Sequence, residues 1–240
     1  ILLCDVCHRS GAPVSFSSGA VLADAVGKLE GAGYRALFGL EVEFQVFERL
    51  DPALSHAQAT MPGAPVQTRN LTQGYQYLTE TRYAEVEGLL DHLRRMAEGL
   101  GLRPRSMEIE MGPSQFEFTF DPSDPQVQAD RFVLFRTMVK EVNGYKRFAP
   151  FQLAPNSVQW GADNRGAMLR ALLPPGDDAS RVENRVADTT ANPHYAFAAQ
   201  ILSGLSGIEA GEPAPRPSET PYTEAGTPLP RSLIAAVEAF

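Results

Sequence analysis

Four stretches of this sequence place charged or amide side chains two residues apart. Glu41 and Glu43 lie in GLEVEF, Glu108 and Glu110 in SMEIEM, and Gln115 and Glu117 in SQFEFTF. The fourth, RVENRVAD, interleaves Glu183 with Arg181 and Arg185. Successive side chains of a strand point to opposite faces, so residues two apart share a face. Neighbouring carboxylates on one face repel each other, and a cation would relieve them. Hard oxygen ligands of this kind suit magnesium or manganese, not zinc or copper. Charged outer faces are also ordinary in antiparallel sheets. The interleaved arginines tip the reading towards phosphoryl transfer, which needs metal and guanidinium charge together.

The elements that must position these residues follow from periodicity. ALFGLEVEFQVF alternates and predicts a strand with Leu40, Val42, Phe44 and Val46 on its core face. SMEIEMGPSQFEFTF predicts a second strand region, broken at Gly112–Pro113, with Phe116, Phe118 and Phe120 inward. In RVENRVAD, Val182 and Val186 are expected to face the core. Helices are expected over AVLADAVGKLEGAGY, TRYAEVEGLLDHLRRMAEGLGL, DPQVQADRFVLFRTMVKEV and NPHYAFAAQILSGLSGIE. The run from Asp51 to Tyr75 reads as a long loop, and the proline-rich stretch from Gly211 to Pro230 as a surface excursion. Ile1, Leu2, Leu3 and Val6 read as a buried strand. The C-x-x-C formed there by Cys4 and Cys7 has no second cysteine pair, so reduced thiols are expected.

The 240 residues are 43% hydrophobic and carry a formal charge of -8. That composition fits a globular protein with a substantial core and excludes a general nucleic-acid binder. No apolar run is long enough to span a membrane and no signal peptide is visible, so a cytoplasmic location is expected.

In order along the chain, GLEVEF, EMGPSQFEF, NGYKRF, WGADNRGAMLR and RVENRVADTTANPHYAFAAQILSGLSGIE resemble five segments of the glutamine synthetase family. The resemblance runs from about Ile1 to about Glu209. It implies an α+β catalytic domain spanning 1–240, with a curved, mostly antiparallel sheet lining the active site and helices outside. It implies Glu43, Glu110 and Glu117 as ligands of one metal, and Glu41 and Glu183 as ligands of a second that bridges the phosphates of ATP. Arg165 and Arg170 resemble the phosphate-binding arginines, and Arg181 lies where a nucleotide contact is expected. Arg147 and Arg185 resemble the residues that meet glutamate and the transferring phosphoryl group. Assembly into a homo-oligomer of two stacked hexameric rings, with active sites between subunits, is implied as well.

The sequence departs from the family in three places. The family's small N-terminal β domain, and the acidic residue it lends to a neighbouring subunit, are expected to lie in a segment that this sequence omits. Val142 runs directly into Asn143, where the family carries a further segment with a histidine metal ligand, so an internal segment is expected to be missing there. Leu153 stands at or near the place of an acidic flap residue that helps ammonia-using members bind ammonium. With Phe151 and Trp160 it would offer an apolar lining for an organic amine. The expectation is therefore an ATP- and magnesium- or manganese-dependent ligase joining glutamate to an apolar or aromatic amine such as aniline. The rivals are an authentic glutamine synthetase and an inactive regulatory relative.

Overall fold

A computed structural model describes residues 3–50, 55–56, 66–139 and 154–239. Its elements are α1 (Ser18–Gly31), β1 (Phe38–Gln45), β2 (Phe47–Arg49), β3 (Thr68–Asn70), α2 (Glu80–Gly99), β4 (Pro104–Ile109), β5 (Gln115–Ser123) and α3 (Pro125–Val139). They continue with β6 (Ser157–Val158), β7 (Trp160–Ala162), β8 (Leu169–Leu172), β9 (Arg181–Asn184), α4 (Pro193–Ala210), β10 (Thr227–Pro228) and α5 (Leu233–Ala239). The chain divides into two compact units, one of residues 1–141 and 193–201 and the other of 142–192 and 202–240. The architecture is α+β, with every strand pairing antiparallel except β7 with β8.

The first unit is built on the three-stranded sheet β1–β5–β4. Alternation in β1 and β5 sends Val42, Phe44, Phe116, Phe118 and Phe120 to one face, and all five are buried. Register aligns Val42 with Phe118 and Phe44 with Phe116, so the inward rings stack strand to strand. α2 supplies Val86, Leu90, Leu93 and Ala97 to this core at helical spacing, and α3 supplies Phe132 and Phe135. Phe135 lies 5.2 Å from Phe118 and 5.1 Å edge-on from Phe120, offset geometries that aromatic rings prefer. The start of α4 is held in the same unit. His194, in the first turn of α4, is buried and hydrogen-bonds Asp130 at 2.9 Å, and Phe197 stacks on Phe38.

The second unit holds the β7–β8–β9 sheet and the small β6–β10 pair. β10 lies in the proline-rich stretch, which is thus partly ordered by Ser157 and Val158. Among the described residues, no helix is long and apolar enough to cross a membrane.

Three readings of periodicity differ from the structure. The described part of the N-terminal run is not a buried strand. Leu3, Cys4, Val6 and Cys7 are exposed, both thiols are free, and the pairing is a single bridge from Cys7 to Pro13. Apolar content alone made that run look like a strand, but it has no neighbour to ladder with. Val182 does not face a core: it is 55% exposed on a strand only four residues long. The expected loop contains β3, which pairs with β2 and carries an Arg69–Glu48 ion pair at 2.6 Å.

Phe118 is fully buried and touches rings from two elements, so its removal leaves a void the sheet cannot close. Phe118→Ala should cost about 3–5 kcal/mol of folding free energy, measured by urea denaturation.

Candidate active site

The polar face of β1–β5–β4 gathers the carboxylates that alternation predicted. Glu43 on β1 lies opposite Glu117 on β5, and Glu117 lies opposite Glu108 on β4. Three carboxylates therefore line up across three strands, directly behind the phenylalanines of the core. Glu110 follows β4, and its oxygens reach those of Glu108 and Glu117, the three residues offering atoms within 4.8 Å of one another. Glu41 sits one pleat along β1, opposite Thr119.

The turn between β4 and β5 holds this arrangement in register. Ser114 is buried with a left-handed backbone, φ 56°, and its hydroxyl accepts the Leu71 amide at 2.6 Å and the Thr72 amide at 3.2 Å. Its own amide donates to the Thr72 hydroxyl. The Glu110 amide donates to the Gln115 carbonyl at 2.9 Å, closing the hairpin. Gln115 then spans the site: its Oε1 accepts the Gly112 amide at 2.9 Å and its Nε2 donates to Glu43 at 2.8 Å. A Cβ on Gly112 would stand 2.3 Å from Gln115 Oε1, so a larger residue there would displace the Gln115 amide from its bond to the Gly112 N–H. The E-x-x-P-x-Q-x-E spacing is thus one hairpin, with a glutamate on each arm and the glutamine fixing a third from β1.

Among the described residues, no cationic side chain pairs with Glu43, Glu108, Glu110 or Glu117. Burial, and then the charges of Glu43, Glu41, Glu110 and Glu108, push the Glu117 carboxyl up to about 8. Burial and the Glu43 and Glu108 charges also raise Glu110, against hydrogen bonds from the Met111 amide and from Glu117. At neutral pH burial and the neighbouring charges therefore keep a proton on Glu117. An all-oxygen donor set without a cationic partner among the described residues fits a hard divalent cation. Glu43, Glu110 and Glu117 are the residues named from the sequence for this role. Glu108 joins them. Its place two residues before Glu110 was visible, but only the β4–β5 register sets it opposite Glu117.

In the second unit the charges answer each other. Arg170 on β8 lies opposite Glu183 on β9 and donates from Nη1 to Glu183 at 3.0 Å. Arg185, just past β9, donates to the other Glu183 oxygen. Arg170 also donates from Nε to Asp163 at 3.0 Å, with a second bond from Nη2 to the same oxygen. Burial works against the Arg170 charge, but the bonds to Asp163 and Glu183 outweigh it and raise the pKa. The β7–β8 loop that carries Arg165 is wedged in place. Asn164 donates to the Glu219 carbonyl at 3.0 Å, and a Cβ on Gly166 would collide with Pro221 and Tyr222. Arg165 itself is exposed and, among the described residues, has no ion pair. Arg181 stands at the far end of β9, bonded to the Ala179 carbonyl and apart from the Arg170–Glu183 pair. Trp160 is half-buried with its indole N–H on the Pro215 carbonyl at 2.6 Å. Arg147, Phe151 and Leu153 lie outside the described residues, as do Phe148 and Pro150.

The catalytic-domain model of glutamine synthetases matches residues 19–144 and 141–240. The chain belongs to the glutamine synthetase family. The two matched stretches meet at the Val142–Asn143 junction. Gamma-glutamylanilide synthase of an Acinetobacter species is 27% identical over 100% of this chain and 63% of its own length. Gamma-glutamylethanolamide synthetase of Streptomyces coelicolor is 26% identical over 98% of this chain and 64% of its own. The chain thus spans a little under two thirds of these curated relatives. The solved structure of a GmaS/ADP complex superposes with a TM-score of 0.73 at 21% identity, covering 98% of this chain and 70% of that one, and it shares the fold.

The proton on Glu117 gives the candidate metal site a pH signature. A raised Glu117 pKa favours the folded, metal-free protein below the ordinary value of 4.5, and that contribution disappears as pH rises through about 8. In excess chelator the Tm should therefore fall between about pH 5 and about pH 8.5, and the Tm gain on adding magnesium or manganese should grow over the same range. Glu117→Gln should flatten the first profile and abolish the second, read by thermal melts.

Proposed function

We propose that this protein ligates the side-chain carboxylate of glutamate to an organic amine, driven by ATP. What carries the proposal is the carboxylate row Glu43, Glu117 and Glu108 with Glu110, built by strand register and left without a cationic partner among the described residues. Membership of the glutamine synthetase family and the amide-forming names of its relatives support it. Magnesium or manganese held by Glu43, Glu110 and Glu117 would supply Lewis-acid charge at the phosphates, and Glu41 and Glu183 are the further carboxylates that the family resemblance offers to metal. Arg165 and Arg170 would bind the phosphates, where a planar guanidinium fork matches two oxygens at once. Arg181 would contact the nucleotide, and Arg147 and Arg185 would meet glutamate and the phosphoryl group in transfer. Glutamate would take the γ-phosphoryl, giving an acyl phosphate, and the amine would displace phosphate from that carbonyl.

The amine site is read from composition. Ammonium is a small hydrated cation and needs oxygen ligands, whereas an organic amine must also bury its carbon skeleton. Phe151, Leu153 and Trp160 offer an apolar lining, and burying a phenyl ring there would contribute a few kcal/mol, on the order of 25 cal/mol per Å². An aromatic amine such as aniline is the substrate this lining favours. The same reading carries a ring-shaped homo-oligomer and, at the Val142–Asn143 junction, a segment that relatives possess and this sequence skips. The two-part family match supports that reading of the junction.

ATP consumption with glutamate and a panel of amines tests the function. An aryl or alkyl amine should give a higher kcat/KM than ammonia. If ammonia exceeds every amine tested, the protein is a glutamine synthetase. Glu43→Ala and Glu117→Ala should both abolish turnover while the circular dichroism spectrum is retained. Arg165→Lys keeps the charge but loses the fork, and should weaken ATP binding on the order of tenfold.

A further inference from the structure

We propose that Asp163 is a positioning residue that aims Arg170 at the phosphates of ATP. The inference rests on the ATP-dependent reading above and deepens it. Asp163 stands at the end of β7 with a left-handed backbone, φ 49°. A side-chain-bearing residue is held in that region only where its surroundings fix it, and such residues concentrate at functional sites. Aspartate is among the few that tolerate it, because its short polar side chain bonds locally. The Asp163 amide still donates to the Ala171 carbonyl at 2.9 Å, so the turn begins without breaking the β7–β8 ladder. Across that ladder Gly161 is paired with Arg170, which puts the start of the turn two residues from the arginine's partner.

A guanidinium has five N–H donors in one plane. Asp163 takes two of Arg170's through one oxygen, along the edge formed by Nε and Nη2. Glu183 takes a third from Nη1. Among the described residues the remaining two, one on Nη1 and one on Nη2, take no further partner. Because the group is rigid and planar, clamping its side edge fixes the direction of its end edge. That end edge is the pair of donors a phosphoryl oxygen would meet.

Glu183 is a poor sole anchor for Arg170. It is shared with Arg185, and it is the carboxylate that family resemblance assigns to a metal. Whatever draws Glu183 away leaves Arg170 with Asp163 alone. Asp163 is 70% exposed while Arg170 is 14% exposed, so their ion pair adds little to folding. Its effect is on where the arginine points.

Asp163→Asn and Asp163→Gly test this, since both residues also adopt the left-handed backbone. Asparagine removes the charge, and glycine removes the acceptor. A non-hydrolysable ATP analogue with magnesium is titrated calorimetrically into the parent protein and each variant, with AMP as the control. The Kd for the analogue should rise on the order of tenfold in Asp163→Gly and by less in Asp163→Asn, with AMP affinity and the KM for glutamate changed less than about twofold. A general structural defect would move all of these together. Should Asp163→Gly melt lower than the parent, Asp163→Asn decides. Unchanged or tighter analogue binding in a well-folded Asp163→Asn overturns the positioning role while leaving ATP dependence intact. A parent protein that does not bind the analogue overturns both.

Discussion

Repulsion among the carboxylates of the β1–β5–β4 sheet is the constraint that the rest of the first unit answers. Glu43, Glu117 and Glu108 stand in one row because the rows on either side, Phe44–Phe116–Ile109 and Val42–Phe118–Met107, turn to the core. The same backbone alternation makes these rows, so the hydrophobic face cannot form without bringing the glutamates together. Burying the aromatic rings against α2 and α3 supplies the free energy that holds like charges side by side. The turn at Gly112–Ser114 adds no net charge relief. It locks the hairpin so that the glutamates cannot splay apart.

The two units handle charge in opposite ways. The first gathers carboxylates that no cationic side chain pairs among the described residues, and a proton on Glu117 answers the imbalance. The second alternates sign along Asp163, Arg170, Glu183 and Arg185, so each group is neutralised by its neighbours. Half-buried charge needs one solution or the other, because desolvation makes an isolated ion costly. The first solution suits residues that receive an external cation. The second suits arginines that must stay ordered until an anion arrives.

Much of this was readable from residue types. GLEVEF and QFEFTF alternate so cleanly that both the core face and the polar face follow from period two. The helices over Ser18–Gly31, Glu80–Gly99, Pro125–Val139 and Pro193–Ala210 carry helical spacing and stops, and they formed within a few residues of expectation. Other features needed the fold. Leu3 and Val6 are apolar but exposed, because burial depends on a neighbour that local sequence does not show. Val182 failed for the same reason on a short strand. Glu108 was seen on the right face, but its alignment with Glu117 is a matter of register between strands. Asp163 was invisible as a charge partner of Arg170. A backbone angle and a pairing seven residues away decide that contact, and neither has a pattern in the sequence.

The hairpin between Glu110 and Glu117 has a consequence for how this family can vary. Its two arms are fixed by ladder pairs and its tip by Ser114 and the Leu71–Thr72 amides. Inserting or deleting one residue on either arm would turn that arm over, presenting glutamates to the core and phenylalanines to the site. Descendants of this sequence are therefore not free to change its length. Gaps between relatives should collect elsewhere, in the connections that carry neither face.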